Sequence, residues 1–333
     1  MLLCIILSRS YTTYTTKQIP MRSTCYTAYY LLYFLTVSQI EADSPSSTRP
    51  DTTGSIYPLR VAMLVGSLAS FRHIGLNHVE QNWYTGEKAE RIRWRNDWKG
   101  HTYLNMDKGG HFMSGLFTAS TVTQTASWAG FNPKTSVIFG TLISWSALFE
   151  IEMRDAYFAE WGFSIPDFTA NTIGASIPLI YTLFPKSRDI QFKFGYYPST
   201  LYLNRIEKRS KSEPHINHVI DDYEGMSFWI SLPSKKILPQ KFQSKIPQWT
   251  RLAFGYGAVG LHGSNKKSRG QNKGYPERPD ASPEVFIGLD YDTKHLPGSH
   301  RIWRNIRKQL NWLRLPAPAV RVYPDIRFYL IML

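Results

Sequence analysis

The hydrophobic pattern of the chain changes its period near Asp189, and this change limits the possible folds more than any other feature. Before it, three segments of helical length carry no formal charge when His111 is counted as neutral: 109–133, 135–149 and 168–185. After it, short runs alternate apolar and small or polar residues, bounded by Gly, Pro or Asn. Such a switch predicts a helical part followed by antiparallel strands.

The alternating runs also suggest a membrane context. In "QFKFGYY", Phe192, Phe194 and Tyr196 share one face, and "MSFWISL" sets Phe228 and Ile230 against small residues and Trp. Apolar residues on one strand face and polar ones on the other are typical of membrane barrel strands. Five or six strands are too few for an ordinary single-chain barrel, so an open sheet that covers the helices fits equally well. The predicted fold class is α+β, with about four helices followed by an antiparallel, aromatic-rich sheet or partial barrel.

The uncharged segments leave their own environment open. Their lengths reach or approach the roughly 20 residues that a membrane-spanning helix needs. Ser, Thr, Gly, Asn and Gln recur in them, however, and the buried helix of a soluble bundle would look similar. We favour a compact helical domain at a membrane or partly within it. The preceding residues 80–101 are polar and aromatic and predict a surface loop or a short exposed helix.

The N-terminal residues predict export. From Met21, which is an alternative start, one Arg is followed by an apolar core and a small residue at Ala42, the order of a secretory signal. The predicted divisions are a targeting segment at 1–42, a Ser/Pro/Thr linker at 43–58, a helical domain at 59–187 and a β-domain at 188–333. The two cysteines, Cys4 and Cys25, both precede the linker, and neither follows an apolar run as a lipid-attachment cysteine would.

The charge balance favours anionic partners. Lys and Arg number 39 against 25 Asp and Glu, giving a net charge of +14. No zinc-finger spacing, RNA-binding aromatic motif or phosphate-binding glycine loop accompanies this charge, so no nucleic-acid partner is expected. The expected partners are membrane lipid or lipopolysaccharide, another envelope protein, or both.

A basic amphipathic helix is predicted at 301–314, "RIWRNIRKQLNWLR". Apolar residues recur there at helical spacing, and the other faces carry Arg, Lys and Trp. This pattern is typical of a helix lying in a membrane interface, although a surface helix packed on the sheet would show it too. The candidate membrane-contact residues are Arg301, Trp303, Arg304, Arg307, Lys308, Trp312 and Arg314.

Ionisable residues flank the uncharged segments in pairs at helical spacing. Asp107 and His111 are four residues apart with Lys108 between them, Glu152 and Asp155 are three apart, and Asp167 and Asn171 are four apart. Charges beside apolar segments are costly unless they pair or perform a function. These seven residues are the candidate site.

Three interpretations of this set compete. It can be a buried network that pins the helices together, a metal or catalytic site, or separate surface charges at helix ends. One His with several carboxylates can hold Mg, Mn or Zn, so a divalent metal at Asp107, His111, Glu152, Asp155 and Asp167 is an open possibility. No nucleophile elbow or paired-histidine metal motif is present, which leaves enzymatic activity uncertain and favours a non-enzymatic role.

The same residues resemble a known family. The run "MDKGGHF…SWAGF…IEMRDAYFAEWGFSIPDFTANTIGA" is similar to the YfiM-like periplasmic lipoproteins, a bacterial family without an established activity. The resemblance extends through "DDYEGMSFWISLP" and "LAFGYGAVGLHG", covering about Val61 to Tyr323. A fainter similarity links the Asp-Lys-x-x-His and Asp-x-x-x-Asn-x-x-Gly patterns to the VanZ-like membrane proteins.

The resemblance implies location more than activity. It implies an exported protein of the cell envelope, in the periplasm or at the outer membrane, with an integral membrane protein as the alternative. The expected function is that of a structural or binding component of the envelope. The alternative is an envelope hydrolase or transferase that acts on lipid or glycan with His111 as acid or base.

Overall fold

The computed structural model describes residues 55–333 except 85, 99–102, 160, 201, 204–218 and 262–280, and it has an α+β architecture. The predicted targeting segment and residues 43–54 of the predicted linker lie outside the described residues. The side chains of 78, 82, 242, 301 and 305 also lie outside them.

Four long helices form the first half. They are α1 (Pro58–Asn82), α2 (Met106–Trp128), α3 (Pro133–Asp155) and α4 (Ile165–Leu183). Each of the last two begins at a capped N-terminus: the Asn132 side chain accepts from Thr135 N–H, and the Ser164 side chain accepts from Asp167 N–H. Proline in the first turn of both helices removes a donor that would otherwise have no partner.

Glycines bring α2 and α4 unusually close together. A Cβ at Gly115 would lie 2.6 Å from the Asn171 carbonyl oxygen, and one at Gly174 would overlap the Phe112 carbonyl. The two helix backbones therefore touch where Gly replaces larger residues. This contact sets His111 on α2 against Asn171 on α4, and it positions the site described below.

Two short strands tie the segment before α2 to the start of α4. Trp94–Arg95 (β1) pairs in parallel with Phe163–Ser164 (β2). The prediction of a surface loop or exposed helix for residues 80–101 was therefore wrong in part, because this pairing carries Asp97 into the protein, where it is buried.

The second half is an antiparallel sheet with strands in sequence order. The strands are β3 (Gln191–Tyr196), β4 (Met226–Pro233), β5 (Thr250–Val259), β6 (Ser282–Tyr291), β7 (Ala317–Tyr323) and β8 (Arg327–Met332). Short helices α5 (Ser234–Ile237) and α6 (Gln240–Gln243) precede β5, and α7 (Arg301–Leu310) precedes β7.

The sheet curls back on itself. The Ser227 hydroxyl on β4 donates to the backbone oxygen of Leu333, 2.9 Å away, just beyond β8. The outer edge of β3 is paired as well, because Phe194 N–H donates to Trp312 O and Arg314 N–H donates to Phe194 O, both at 2.9 Å. This pairing ends α7 at Leu310, so the helix is shorter than the predicted 301–314.

The described helices and sheet pack against each other within one compact unit. Phe112 on α2 contacts Phe192 on β3 edge to face at 4.8 Å, and the Tyr256 hydroxyl donates to the Leu104 carbonyl. Two helical stretches, Pro58–Gln81 and Pro133–Asp155, are long and apolar enough to cross a membrane by length and composition alone.

Candidate functional site

The buried ammonium of Lys108 is held by three carboxylates. Its Nζ lies 2.6 Å from Asp97 Oδ2, 2.8 Å from Asp107 Oδ2 and 3.1 Å from Asp167 Oδ1. All four side chains are buried. We call this group the lysine corner. Its ammonium lies among three buried carboxylates whose negative charge would otherwise be uncompensated.

The imidazole of His111 lies beside a second cluster of polar side chains, which shares Asp167 with the lysine corner. Its Nδ1 lies 3.1 Å from Asn171 Oδ1 and 3.5 Å from Glu152 Oε1, and its Nε2 lies 3.9 Å from Asp167 Oδ2. The Asn171 amide donates to Glu152 Oε1 at 3.0 Å. We call His111, Glu152 and Asp167 the histidine corner. Its two acids are buried, whereas the His111 side chain keeps 27% of its surface exposed.

Ser164 links the two corners. Its hydroxyl donates to Asp97 Oδ1 at 3.0 Å, and its backbone N–H lies 3.4 Å from Glu152 Oε2. The same side chain caps α4 and thereby fixes the backbone that carries Asp167. Ser164 therefore fixes the positions of three parts of the site relative to one another: the β1–β2 pairing, Glu152 on α3 and the first turn of α4.

The structure brings six of the seven predicted site residues together: Asp107, Lys108, His111, Glu152, Asp167 and Asn171. Asp155 takes a different partner, because the Tyr84 hydroxyl donates to Asp155 Oδ1 at 2.6 Å. It lies one turn beyond Glu152 on α3. The set includes a buried network, as the first interpretation requires, while the partial exposure of His111 leaves the second open.

Sequence reasoning missed Asp97, Ser164 and Tyr84. Ser164 carried a usable signal, because a Ser three residues before Asp167, at the start of an apolar run, is the mark of a helix N-terminus. Asp97 and Tyr84 carried none, since both stand in a polar stretch without periodicity. Only the β1–β2 pairing brings Asp97 inward.

Burial governs the protonation of the acids. It raises the pKa of Asp107 to about 7, with the neighbouring charge of Asp167 adding to the effect and Lys108 opposing it. It raises the pKa of Glu152 to about 8 and that of Asp155 to about 6. Burial alone would lower the pKa of His111, but the carboxylates of Asp167, Glu152 and Asp107 outweigh it and raise that pKa.

The predicted membrane-contact residues divide into two groups. Trp303, Arg304 and Lys308 are exposed on α7, and the side chain of Arg301 lies outside those that the structure describes. Arg307 and Arg314 are buried, with Arg314 stacked 3.5 Å from the centre of the Trp229 ring. Trp312 packs against Phe117 on α2. Trp312 and Arg314 sit inside the fold because 312–314 run along the edge of β3, whereas Arg307 is on the buried side of α7.

Part of the chain matches a protein-family model. Residues 96–182, about a quarter of the chain, match the family described as "Predicted periplasmic lipoprotein (DUF2279)". The match covers α2, α3 and α4 with every residue of both corners, and it agrees with the resemblance to the YfiM-like lipoproteins. It supports an exported protein of the cell envelope. No curated protein and no solved structure matches the chain.

Proposed function

We propose that the protein is a non-enzymatic component of the cell envelope that binds the membrane through the outer face of its sheet. The observation that carries this proposal is an inversion of polarity. In a water-exposed sheet the buried face is apolar and the outer face polar. Here the buried face is rich in charge and the exposed face is apolar.

The outer face presents one continuous apolar row. The strand register aligns Ile230 with Phe254, Phe254 with Ile287, Ile287 with Val320 and Val320 with Phe328. All but the partly buried Val320 are exposed, and Leu289 and Leu330 extend the patch. An exposed apolar surface that crosses five strands is far from the scattered apolar residues of an ordinary soluble surface.

The inner face holds the charges. Lys193 and Asp290 are both fully buried and pair at 2.9 Å, and Asp290 also accepts from the Ser231 hydroxyl at 2.5 Å. Arg251 donates to the same hydroxyl at 2.9 Å, and Arg321 pairs with Glu284. In strands that face lipid, the polar and charged side chains point inward and the apolar side chains point outward.

The exposed part of α7 fits the same partner. Ile302, Trp303 and Ile306 are exposed on this helix beside the cations Arg304 and Lys308. Apolar and aromatic residues with flanking cations suit the boundary between lipid headgroups and hydrocarbon. The net charge of +14 favours anionic headgroups, such as those of phospholipid or lipopolysaccharide.

The proposal is tested by fractionating bacteria that express the full chain, followed by washes in high salt. The wild-type protein should stay with the membranes, and Ile287→Asp should move to the soluble fraction because it places a charge in the hydrocarbon contact. Ile92→Asp is the matched control, since both isoleucines are 40% exposed but Ile92 precedes β1 and is not part of the six-stranded sheet. Wild-type protein in the soluble fraction would contradict the proposal.

A second candidate function is hydrolysis or group transfer on lipid or glycan. The observation that favours it is the partly exposed imidazole of His111 beside two buried acids. In that case His111→Gln would abolish turnover of an envelope lipid or glycan while the thermal unfolding temperature stayed near that of the wild type. Unchanged turnover in this variant would exclude the imidazole as the acid or base.

A further inference from the structure

We propose that the histidine corner is a binding site for one divalent cation of the zinc type. The cation would lie between His111 Nε2 and Asp167 Oδ2. Glu152, whose Oε1 lies 3.5 Å from His111 Nδ1, would turn a carboxylate oxygen towards the cation as the third protein ligand. The three residues each offer one ligand atom, and these atoms lie within 4.8 Å of one another. This site is separate from the membrane-binding face and does not depend on it.

The tautomer of His111 follows from its neighbours. The Asn171 amide nitrogen donates to Glu152 Oε1, so the Asn171 oxygen is the atom that faces His111 Nδ1. An oxygen at 3.1 Å requires Nδ1 to carry the proton. The Nε2 lone pair is thereby directed away from Asn171. Metal-binding histidines are oriented in the same way, by a hydrogen bond from the other ring nitrogen.

In the neutral imidazole, the Nε2 lone pair faces a carboxylate oxygen across a gap that a hydrogen bond does not span. The distance from Nε2 to Asp167 Oδ2 is 3.9 Å, beyond the limit for a hydrogen bond. Two electron-rich atoms face each other there. Zinc binds His nitrogen at about 2.0–2.1 Å and carboxylate oxygen at about 2.0–2.2 Å, and at a tetrahedral angle these bonds place the two atoms about 3.4 Å apart. The two side chains would therefore close by about half an ångström around the ion.

The charge count points to the same place. Asp167 is shared between the two corners, and the Lys108 ammonium supplies the cation of only one. Among the described residues, the four buried acids Asp97, Asp107, Glu152 and Asp167 share that one Lys ammonium. A divalent cation in the histidine corner would offset more of this excess negative charge than a proton on His111 can.

The donor set selects the type of metal. One imidazole with two carboxylates suits zinc, whereas magnesium prefers an all-oxygen shell that retains several waters. The exposed edge of His111 gives an ion a route from solvent. Three protein ligands also leave a fourth tetrahedral position for water.

The test is a Zn²⁺ titration of the purified full chain in mild detergent, with free Zn²⁺ set by a chelator. The wild type should bind one Zn²⁺ per chain, and its unfolding temperature should rise with Zn²⁺ and not with Mg²⁺. His111→Gln and Glu152→Gln should weaken binding by about 100-fold or more, since losing even an outer partner of a ligand costs about 10–100-fold. Glu150→Gln is the matched control: Glu150 is on the same helix and pairs at the surface with Arg72 and Arg154.

Zn²⁺ binding that is equal in His111→Gln and the wild type would overturn the proposal, as would the absence of saturable binding by the wild type. If a ligand variant fails to fold, the Co²⁺ form of the wild type tests the site instead. Its Co²⁺ form should then show the visible absorption of a four- or five-coordinate ion, and a spectrum of octahedral, hydrated Co²⁺ would contradict the site.

Discussion

At the scale of single residues, Lys108 is the position on which the largest share of the buried charge depends. One ammonium faces Asp97, Asp107 and Asp167 within 3.1 Å, and all of them are buried. Removing one partner of a buried ionic group is far more costly than the net value of the pair, because the remaining charges lose their compensation.

Lys108→Met should therefore lower the free energy of unfolding by about 3–5 kcal/mol, measured by urea denaturation in mild detergent. The Met side chain is unbranched and similar in length, and it removes the ammonium with its charge and its hydrogen bonds. Lys236→Met is the control, because Lys236 pairs with Asp189 at the exposed surface and its loss should cost at most about 1 kcal/mol. Equal costs for the two variants would mean that the lysine corner contributes nothing beyond an ordinary surface pair.

The raised pKa of Asp155 should make the stability of the folded protein depend on pH. Burial raises its pKa from 3.8 to about 6, so between pH 4 and pH 6 the folded protein keeps a proton that the unfolded chain has lost. The contribution of this group to stability is therefore full below pH 4 and is lost as the pH rises through about 6.

The measurement compares the wild type with Asp155→Asn by thermal unfolding from pH 4 to pH 7 in the presence of a chelator. The unfolding temperature of the wild type should fall relative to that of the variant as the pH rises. A difference that stays constant, or that changes in the opposite direction, would show that the Asp155 pKa is not raised in the folded state.

The site could be predicted from the sequence as far as helical spacing reaches. The pairs Asp107 with His111 and Asp167 with Asn171 each share one helix face, and six of the seven candidates meet in the structure. Helical spacing carries no information on Asp97. This residue is brought to Lys108 by the short parallel pairing of β1 with β2, which involves two residues of each strand. It also misplaced Asp155, whose partner Tyr84 comes from a stretch without a pattern.

At the scale of elements, the contact between α2 and α4 sets the geometry of both corners. Gly115 lies one turn after His111 on α2, and Gly174 lies three residues after Asn171 on α4. Neither position has room for a side chain, because each faces the backbone of the other helix. The separation of these helices therefore depends on the two glycines.

Gly174→Ala should destabilise the protein by about 1–3 kcal/mol, because its new methyl group overlaps the Phe112 carbonyl and forces the helices apart. Gly110→Ala is the matched control on α2, where nothing lies within 4 Å of the added atom. It should stabilise the protein by about 0.5–1 kcal/mol through the lower entropy of the unfolded chain. Urea unfolding measures both, and a stabilising Gly174→Ala would contradict the close contact.

The elements themselves followed from the period of the sequence. The uncharged segments are helices and the alternating runs are strands, as predicted. The end of α7 was predicted wrongly, because amphipathic spacing continues through Leu313 while the backbone from Trp312 to Arg314 hydrogen-bonds to β3. This pairing involves a strand more than a hundred residues away in the sequence, and local periodicity cannot predict such a distant contact.

At the scale of the whole molecule, membrane binding depends in our proposal on the inverted polarity of the sheet. Lys193, Arg251 and Asp290 lie inside it, while Phe254 and Ile287 face outward. The alternation was visible in the sequence, but it could not say which face is covered. Only the curl of the sheet, which brings Ser227 on β4 against Leu333, decides that the charged face is the inner one, since α2 packs through Phe112 on Phe192, which shares the apolar face with Ile230.

The most direct measurement is the accessibility of a spin label at Ile287→Cys in the full chain bound to anionic phospholipid vesicles, with Cys4 and Cys25 replaced by Ser. If the outer face lies against hydrocarbon, the label should collide more with oxygen than with a water-soluble nickel chelate. The same label at Ile92→Cys should show the reverse. Greater accessibility to the nickel chelate at position 287 would contradict membrane binding through this face.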